Sequence, residues 1–513
     1  MSHLHFTHRS IFVTSAIFQV LAFFLFTSCG KSTEEKGEVL AKTYCASCHA
    51  FTPPALLDKK TWLIGVLPAM GPRLAMTSYK GQNYPALARE SVIPKGLYPT
   101  RPVMAQDEWE AIVEYFVNTA PDSLQHRERI LPIPVAGAYF KNLYPAYDEK
   151  ANPTTSCVKI DVQSGLIFCA NSVPPQLNVY NAELKLLRST KTDNVVTDLE
   201  HHGDSTLVLI MGSLNPYDVT TGQLQWLVNG NSTPQVLEQA LPRPVQITAS
   251  DLDQDSRTDY LICGFGNFTG SLFWLRSEGN SKFSRQDLRN LPGAMKTTVG
   301  DYNKDGLPDI IALMAQGDEG IFLYQNEGKG KFKEKSLLSF PPVYGTTSFE
   351  LQDFNADGNL DILYTCGDNA DYSKILKPYH GIYIYLNDGQ WNFTQRFFYP
   401  INGCFKGLAR DFDGDGDLDL ASISFFADYL VRPKESFVFL KNNGEFNFEA
   451  STVPAYADGR WLTMDAGDYD SDGDEDIILG NMSIGPSNMN GGQEWKSRSP
   501  FVILQNSLKD KTH

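Results

Sequence analysis

The chain has 513 residues, of which 42% are hydrophobic and 20% are charged, and its formal net charge is −16. This length exceeds what one ordinary hydrophobic core accommodates, so we expect two or more domains. The acidic balance excludes nucleic acid as a partner, because binding to phosphates needs a basic surface. Much of the acid falls in short Asp-rich loops after residue 250, where bound cations can neutralise it.

The N-terminal residues predict export and attachment to a membrane. Residues 11–26 form an apolar run that is shorter than a comfortable transmembrane span, and Thr-Ser-Cys-Gly follows at 27–30. This order resembles the signal of a bacterial lipoprotein, which implies a signal peptide over 1–28 and a lipid on Cys29. Residues 29–36 then form a polar tether, so the chain is expected in the bacterial cell envelope, lipid-anchored to the outer membrane and facing the periplasm or the surface. An ordinary cleaved signal and a short membrane anchor are the alternatives.

The segment after the tether carries the sharpest chemical motif, Cys45-Ala-Ser-Cys48-His49. Two cysteines at this spacing can bond the two vinyl groups of one haem, and the adjacent histidine can coordinate the iron. Cys45, Cys48 and His49 are therefore interpreted as a covalent haem c site. A thioredoxin-type pair gives no reason for the histidine, and a zinc site lacks a second cysteine or histidine pair before Cys157.

Helices are predicted on both sides of the loops that follow this motif. Residues 37–49 are helical up to the motif, and residues 107–117 put Trp109, Ile112 and Phe116 on one apolar stripe. Together, residues 37–122 resemble a small class I cytochrome c, which implies an all-α domain with one haem that transfers single electrons.

That resemblance also implies a methionine as the distal iron ligand. Met70 is the expected ligand, because it lies in the apolar stretch 62–71. Met104, just before the second helix, is the alternative, and Met76 is a third methionine in this segment. Coordination by His49 alone, or by a second histidine from elsewhere, also stays open.

After Pro132 the pattern changes to short strands separated by Gly, Asn and Asp turns, which is typical of an all-β fold. A unit with an Asp-rich loop occurs five times, at spacings of 50, 52, 58 and 57 residues. Residues 155–190 and 194–230 have strand–turn–strand character without such a loop, so seven blades are predicted. A strand from 133–145 is expected to help close the ring, which removes exposed sheet edges.

The five loops share acidic or amide side chains at positions 1, 3, 5 and 9, and four of them have glycine at position 6. Such flexible oxygen-rich loops suit Ca²⁺ rather than zinc, so four to five calcium ions are expected. An EF-hand is excluded, because position 12 lacks glutamate and each loop leads into a strand. The first loop has Ser256 at position 6 and is the weakest candidate. The predicted ligands are Asp251, Asp253, Asp255, Asp259, Asp301, Asn303, Asp305, Asp309, Asp353, Asn355, Asp357, Asp361, Asp411, Asp413, Asp415, Asp419, Asp468, Asp470, Asp472 and Asp476.

This repeated loop and the strand that follows it resemble the FG-GAP/VCBS repeats of integrin-like propellers, in which calcium staples a loop between strands. The resemblance implies a propeller over 133–508 with structural rather than catalytic ions. The predicted fold class is therefore multidomain, with a small all-α cytochrome c-like domain followed by an all-β, seven-bladed propeller.

The sequence thus predicts an exported, membrane-anchored electron-transfer protein whose propeller is a binding scaffold for a redox partner protein or for a protein or glycan ligand. A propeller dehydrogenase that reduces the haem and an adhesive surface lipoprotein with an accessory haem are the alternatives. No catalytic residues are predicted, and His201-His202 are interpreted as loop histidines. Cys157 and Cys169 flank a predicted turn symmetrically, so a disulfide between them is a candidate, and the pair Cys366 and Cys404 is left open.

Overall fold

The computed structural model describes residues 33–85, 96–125, 132–136, 139–214, 218–229, 233–266, 268–370, 372–484 and 495–507. The predicted signal peptide and Cys29 lie outside these described residues. Among the residues that are described, no helix has the length and apolar character needed to cross a membrane.

The described residues 33–125, called the helical segment below, begin with helix α1 (Thr33–Tyr44) and end with helix α4 (Gln106–Thr119). Both helices were predicted, and the structure confirms that Trp109, Ile112 and Phe116 are buried on one face of α4. Between these helices the elements are a 3₁₀ turn at Cys45–Ser47, a 3₁₀ turn at Pro54–Leu56, α2 (Lys59–Thr61), a π-helical turn at Trp62–Val66, α3 (Leu67–Met70), a 3₁₀ turn at Gly71–Leu74, β1 (Ser78–Tyr79) and β2 (Gln82–Asn83).

Helices α1 and α4 pack closely because Gly37 lies at their contact. A Cβ atom on Gly37 would lie 2.2 Å from the carbonyl oxygen of Ala111, so the backbones approach as only glycine permits. Asp107 and Glu108 occupy the first turn of α4, and the Glu108 carboxylate accepts a hydrogen bond from the Ala105 backbone N–H at 3.0 Å. Negative charge at this position suits the helix dipole.

The helical segment is not the separate all-α domain that was predicted. It contains the β1–β2 hairpin, and its apolar core continues into the propeller, where Val343, Tyr372 and Ile375 pack against it. A chain of this length buries only part of its apolar surface by itself, and the propeller covers more of it.

The described strands of the propeller form seven four-stranded antiparallel sheets, so the predicted number of blades is confirmed. Their bounds, blade by blade, are: blade 1, β4 (Thr155–Asp161), β5 (Leu166–Ser172), β6 (Pro175–Tyr180) and β7 (Leu186–Lys191); blade 2, β8 (Val196–His202), β9 (Ser205–Ile210), β10 (Gly222–Val228) and β11 (Gln235–Leu241); blade 3, β12 (Pro244–Ser250), β13 (Asp259–Gly264), β14 (Ser271–Gly279) and β15 (Lys282–Arg289); blade 4, β16 (Ala294–Gly300), β17 (Asp309–Met314), β18 (Gly320–Asn326) and β19 (Phe332–Ser339); blade 5, β20 (Thr346–Gln352), β21 (Asp361–Cys366), β22 (Gly381–Asn387) and β23 (Phe393–Pro400); blade 6, β24 (Cys404–Arg410), β25 (Asp419–Ser424), β26 (Phe437–Asn442) and β27 (Phe448–Ser451); blade 7, β28 (Trp461–Gly467), β29 (Asp476–Asn481), β30 (Phe501–Asn506) and β3 (Phe140–Leu143).

Strand β3 closes the ring, as predicted for residues 133–145. It comes from the start of the propeller but pairs with β30 at its end, with Phe140 opposite Asn506 and Leu143 opposite Ile503. The first and the last parts of the propeller chain therefore share blade 7, and β3 covers the edge that β30 would otherwise present.

The first strand of each blade is innermost, and neighbouring first strands contact one another. Acidic side chains bridge several of them: Asp465 accepts a hydrogen bond from the Ile160 backbone N–H at 3.0 Å, and Glu350 accepts one from Ala409 at 2.9 Å. These bonds satisfy backbone donors that the sheets leave unpaired at the centre of the ring.

The two faces of the propeller differ. The Asp-rich loops connect the first strand to the second in blades 3–7, so they lie on one face. Val343 precedes a first strand, whereas Tyr372 and Ile375 lie between a second and a third strand, so the helical segment packs against the opposite face.

Candidate functional sites

Cys45, Cys48 and His49 lie together directly after α1, as the sequence predicted. The turn is held by the Ser47 hydroxyl, which donates to the Tyr44 carbonyl oxygen at 2.6 Å. Cys45 is half-buried against the helical core, whereas Cys48 is exposed. Burial, with a smaller contribution from nearby Cys48, raises the pKa of the Cys45 thiol to about 11.

The ring of His49 is half-buried, and its Nδ1 lies 2.9 Å from the carbonyl oxygen of Ala50. Because a carbonyl oxygen can only accept, this bond selects the tautomer with the proton on Nδ1. Nε2 then keeps its lone pair, which is the state a metal-binding imidazole needs.

Three methionines pack in or against the apolar cluster that Cys45 also contacts. Met76 and Met104 are enclosed, with 2% and 7% of their surfaces exposed, while Met70 at the end of α3 is half-buried. A haem iron needs a ligand sulfur that protein atoms do not already surround, so the burial pattern supports Met70. Two thiols, an imidazole and a thioether beside apolar side chains are a donor set that fits haem c.

The Asp-rich loops, called the acidic loops below and named by their first residue, share one backbone arrangement. In the Asp301 loop, the Asp301 carboxylate accepts hydrogen bonds from the N–H groups of Asp305 at 3.0 Å and Gly306 at 2.9 Å. The corresponding bonds recur in the other four loops. The position-1 carboxylate therefore organises each loop through its backbone.

Position 6 has a positive φ in all five acidic loops. The four glycines have values between 84° and 94°, and Ser256 in the Asp251 loop takes 66°. Serine in this left-handed region is strained by about 1 kcal/mol, yet the loop keeps the shape of its neighbours. The Asp251 loop, which was expected to be the weakest calcium site, thus has the same backbone conformation at position 6 as the other four loops.

The position-9 aspartates are fully buried and tie each loop to the third strand of its blade. Asp309, for example, accepts hydrogen bonds from the N–H groups of Asn326 at 2.7 Å and Tyr302 at 3.2 Å. Burial raises the pKa of Asp419 to about 7 and that of Asp476 to about 8. A nearby cation would favour their charged forms.

Among the described residues, carboxylate oxygens converge within 4.8 Å in three of the loops. At position 3 of these loops, one oxygen each of Asp253, Asp413 and Asp470 is buried without a hydrogen-bond partner. A buried, unpaired carboxylate oxygen is unfavourable unless a cation contacts it, so these loops fit Ca²⁺. The converging groups are Asp251, Asp253 and Asp255; Asp411, Asp413 and Asp415; and Asp468, Asp470 and Asp476.

The Asp301 and Asp353 loops have an amide at position 3 and differ from the other three. Asn303 accepts a hydrogen bond from the Asp305 backbone N–H at 2.9 Å and donates to its carboxylate at 2.8 Å, and Asn355 contacts Asp357 in the same way. In these two loops the position-3 side chain is thus already hydrogen-bonded to the aspartate at position 5.

Three side chains next to the acidic loops were missed by the sequence reasoning. Arg276, Lys441 and Gln505 reach position 3 from the third strand of blades 3, 6 and 7. Each of the three directly precedes the residue of the third strand whose backbone N–H donates a hydrogen bond to the position-9 aspartate. This position is visible in the sequence, but its contact with the loop follows only from the register between strands that are far apart in the chain.

All seven cysteines of the described residues are free thiols. Cys157 pairs with Ala170, and Val158 pairs with Cys169, so the two thiols lie on opposite faces of blade 1 and the candidate disulfide is wrong. His201 and His202 end strand β8 rather than lying in a loop, and His201 packs against Phe168.

Comparisons with known proteins agree with the repeat pattern. Residues 251–312 and 301–364 match the family described as FG-GAP-like repeat. The T-cell immunomodulatory protein homolog of Plasmodium falciparum (isolate 3D7) is 28% identical over 163 residues, which cover 28% of this chain and 22% of that protein. Cartilage acidic protein 1 of Xenopus tropicalis is 29% identical over 205 residues, which cover 37% of this chain and 29% of that protein. The matches thus span less than a third of the length of either relative.

Solved structures that match this chain include the N-terminal domain of Nup159, with a TM-score of 0.42 and 12% identity over 72% of this chain and 97% of that one. Saccharomyces cerevisiae Sqt1 gives a TM-score of 0.42 and 8% identity over 71% of this chain and 99% of that one. With the sheets and loops described above, the chain is a seven-bladed β-propeller that carries FG-GAP repeats.

Proposed function

We propose that this protein is an exported, lipid-anchored c-type cytochrome whose propeller is a calcium-stabilised binding scaffold. The observation that carries the proposal is the single turn in which two thiols stand beside an imidazole whose Nε2 is free for a metal. A covalently bound haem supplies a one-electron iron couple there. Cys45 and Cys48 hold it, His49 binds its iron, and Met70 is the proposed distal ligand.

Exposed apolar side chains shortly before Met70 in the chain support the same assignment. Leu63 and Ile64 lie in the π-helical turn Trp62–Val66, one to two turns before Met70, and are 36% and 62% exposed. A large flat apolar group would remove such surface from water.

The propeller holds the helical segment in a fixed position. Tyr379 donates its hydroxyl hydrogen to the Leu56 carbonyl oxygen at 3.0 Å, and the guanidinium of Arg73 lies over the ring of Phe268 at 5.6 Å. A redox partner bound to this face of the propeller would therefore meet the haem at a fixed geometry, which favours specific electron transfer. Attachment through Cys29 would keep both units at the membrane of the bacterial envelope.

The haem proposal is tested by a reduced-minus-oxidised spectrum of exported protein, made with a host that matures cytochrome c. We expect one covalent haem per chain, its loss in Cys45→Ala and Cys48→Ala, and a lower reduction potential in Met70→Ala, since thioether ligation raises the potential. Met104→Ala is the matched control. Exported wild-type protein without covalent haem would contradict the proposal, and a potential lowered only in Met104→Ala would reassign the ligand.

A second candidate is a ligand-binding propeller in which any haem is accessory. The FG-GAP repeats favour it, and the two curated relatives are named for immunomodulation and for cartilage rather than for electron transfer. This candidate is supported if a protein or glycan ligand binds, binding is lost with EDTA, and Cys45→Ala has no effect on it.

A further inference from the structure

Three acidic loops gather carboxylates alike but meet different side chains from the third strand of their blade. These side chains are Arg276 in blade 3, Lys441 in blade 6 and Gln505 in blade 7. Two of the three equivalent side chains are cations and one is neutral, while the position-3 residue is aspartate in all three.

Arg276 contacts two of the carboxylates that converge in the Asp251 loop. Its Nε is 2.5 Å from an oxygen of Asp253 at position 3, and its Nη2 is 3.8 Å from an oxygen of Asp255 at position 5. The Asp255 carboxylate also contacts Arg257.

Lys441 repeats this arrangement in the Asp411 loop. Its ammonium contacts Asp413 at position 3 and lies 3.9 Å from an oxygen of Asp415 at position 5. The side chains of Asp253 and Asp413 are only 7% and 5% exposed, whereas those of Arg276 and Lys441 are 41% and 26% exposed.

The Asp468 loop lacks this feature at the equivalent place. Gln505 donates a hydrogen bond to Asp470 at 2.7 Å, which satisfies one carboxylate oxygen without adding positive charge. The other oxygen of Asp470 stays buried and unbonded. The third strand therefore places no positive charge on the position-3 carboxylate of this loop.

We propose that Arg276 and Lys441 are tethered cations that compete with calcium for the carboxylates at positions 3 and 5, so that the Asp468 loop retains calcium at lower free concentrations than the Asp251 and Asp411 loops. The inference rests on the calcium binding proposed above. One oxygen each of Asp253 and Asp413 remains unbonded, so an ion can still enter these loops. It does so against the repulsion of a fixed positive charge.

The test uses the full exported protein, stripped with chelator and dialysed against buffers of set free Ca²⁺, and bound calcium is counted by atomic emission. Lys441→Gln gives the Asp411 loop the neutral side chain of blade 7, and Gln505→Lys gives the Asp468 loop the cation of blade 6. We expect one ion to bind about tenfold more tightly in the first variant and one about tenfold more weakly in the second. Lys333→Gln, an exposed change on an outer strand, is the control and should leave the binding curve unchanged.

Arg276→Gln is a further variant in which binding should tighten, so a folding defect in Gln505→Lys leaves the test intact. If the wild-type protein binds calcium but Lys441→Gln and Arg276→Gln leave the curve where it was, the tethered-cation inference is wrong. If the wild-type protein binds no calcium at any concentration, the calcium proposal itself fails.

Discussion

Among single residues, Lys296 places an ammonium group in a half-buried position near the centre of the propeller. It lies on the innermost strand of blade 4, and burial, followed by the repulsion of Lys406, lowers the pKa of its ammonium from 10.5 to about 8. Glu350 opposes this shift, while Lys159 and Arg410 add to it. The folded chain therefore releases this proton at lower pH than the unfolded chain does.

The expected consequence is a rise in the free energy of unfolding between about pH 8 and 10.5, because unfolding takes up a proton in that window. Lys296→Met should remove this rise and stabilise the protein at pH 7 by about 1–3 kcal/mol. Denaturant unfolding at pH 7 and pH 10 measures both effects, with the exposed Lys333→Met as control. Equal pH dependence in wild type and Lys296→Met would contradict the prediction.

For single residues, the sequence predicts most of the candidate haem and calcium ligands, but not the side chains that contact those ligands. The motif from Cys45 to His49 and the spaced acids of the loops are local patterns, so their residues could be assigned from order alone. Lys441 meets Asp413 across 28 positions of the chain, and only the register of the sheet reveals that contact.

Among the elements, the four-residue strand β3 closes the propeller ring by pairing with β30. Phe140 is 4% exposed, and its ring lies 5.8 Å from that of Phe412 and 5.3 Å from that of Phe439. Removing this side chain leaves a cavity between blades 6 and 7. We therefore expect Phe140→Ala to destabilise the protein by about 3–5 kcal/mol.

Thermal unfolding measures that loss, and hydrogen exchange locates it. Backbone amides of β30, which pair with β3, should exchange faster in Phe140→Ala, while those of blade 2 keep their protection. Lys141→Ala changes an exposed side chain on the same strand and is the matched control. A loss of protection spread evenly over all blades would count against a closing role for β3.

The docking of the helical segment depends on the close approach at Gly65. A Cβ atom there would lie 2.6 Å from the carbonyl oxygen of Tyr372, which is backbone and cannot give way easily. Gly65→Ala should therefore loosen the contact between the helical segment and blade 5, although alanine favours the helix itself by about 1 kcal/mol. Faster hydrogen exchange in residues 372–380 checks this, with the exposed Lys60→Ala as control.

The elements themselves were largely predictable, and their association was not. The apolar stripe of α4, the five repeated loops and the closing strand follow from periodicity and spacing. The contacts of Tyr372, Tyr379 and Phe268 with the helical segment join residues some 200 to 320 positions apart. No local pattern encodes such a distance, which is why the sequence predicted a separate domain.

For the whole molecule, the distribution of the acidic loops leads us to expect that calcium stabilises the seven blades unevenly. Blades 3–7 carry the acidic loops, whereas blades 1 and 2 turn between their first two strands with short loops at 162–165 and 203–204. Five bound Ca²⁺ ions would reduce the net charge from −16 to −6 and with it the self-repulsion of the folded chain. Removing the ions is therefore expected to act on blades 3–7 and to leave blades 1 and 2 unchanged.

Chelation with EDTA should lower the melting temperature and speed hydrogen exchange in the acidic loops, most of all in the Asp468 loop if its ion is the tightest. The turns of blades 1 and 2 should exchange at the same rate with and without calcium, which makes them an internal control. Mg²⁺ should restore little protection, because it demands a smaller and more regular shell than these loops offer. Exchange that rises equally in all seven blades would mean that calcium acts through net charge alone, and unchanged exchange would mean that the loops need no ion. A rise confined to blades 3–7 would show that each ion stabilises the blade whose loop binds it.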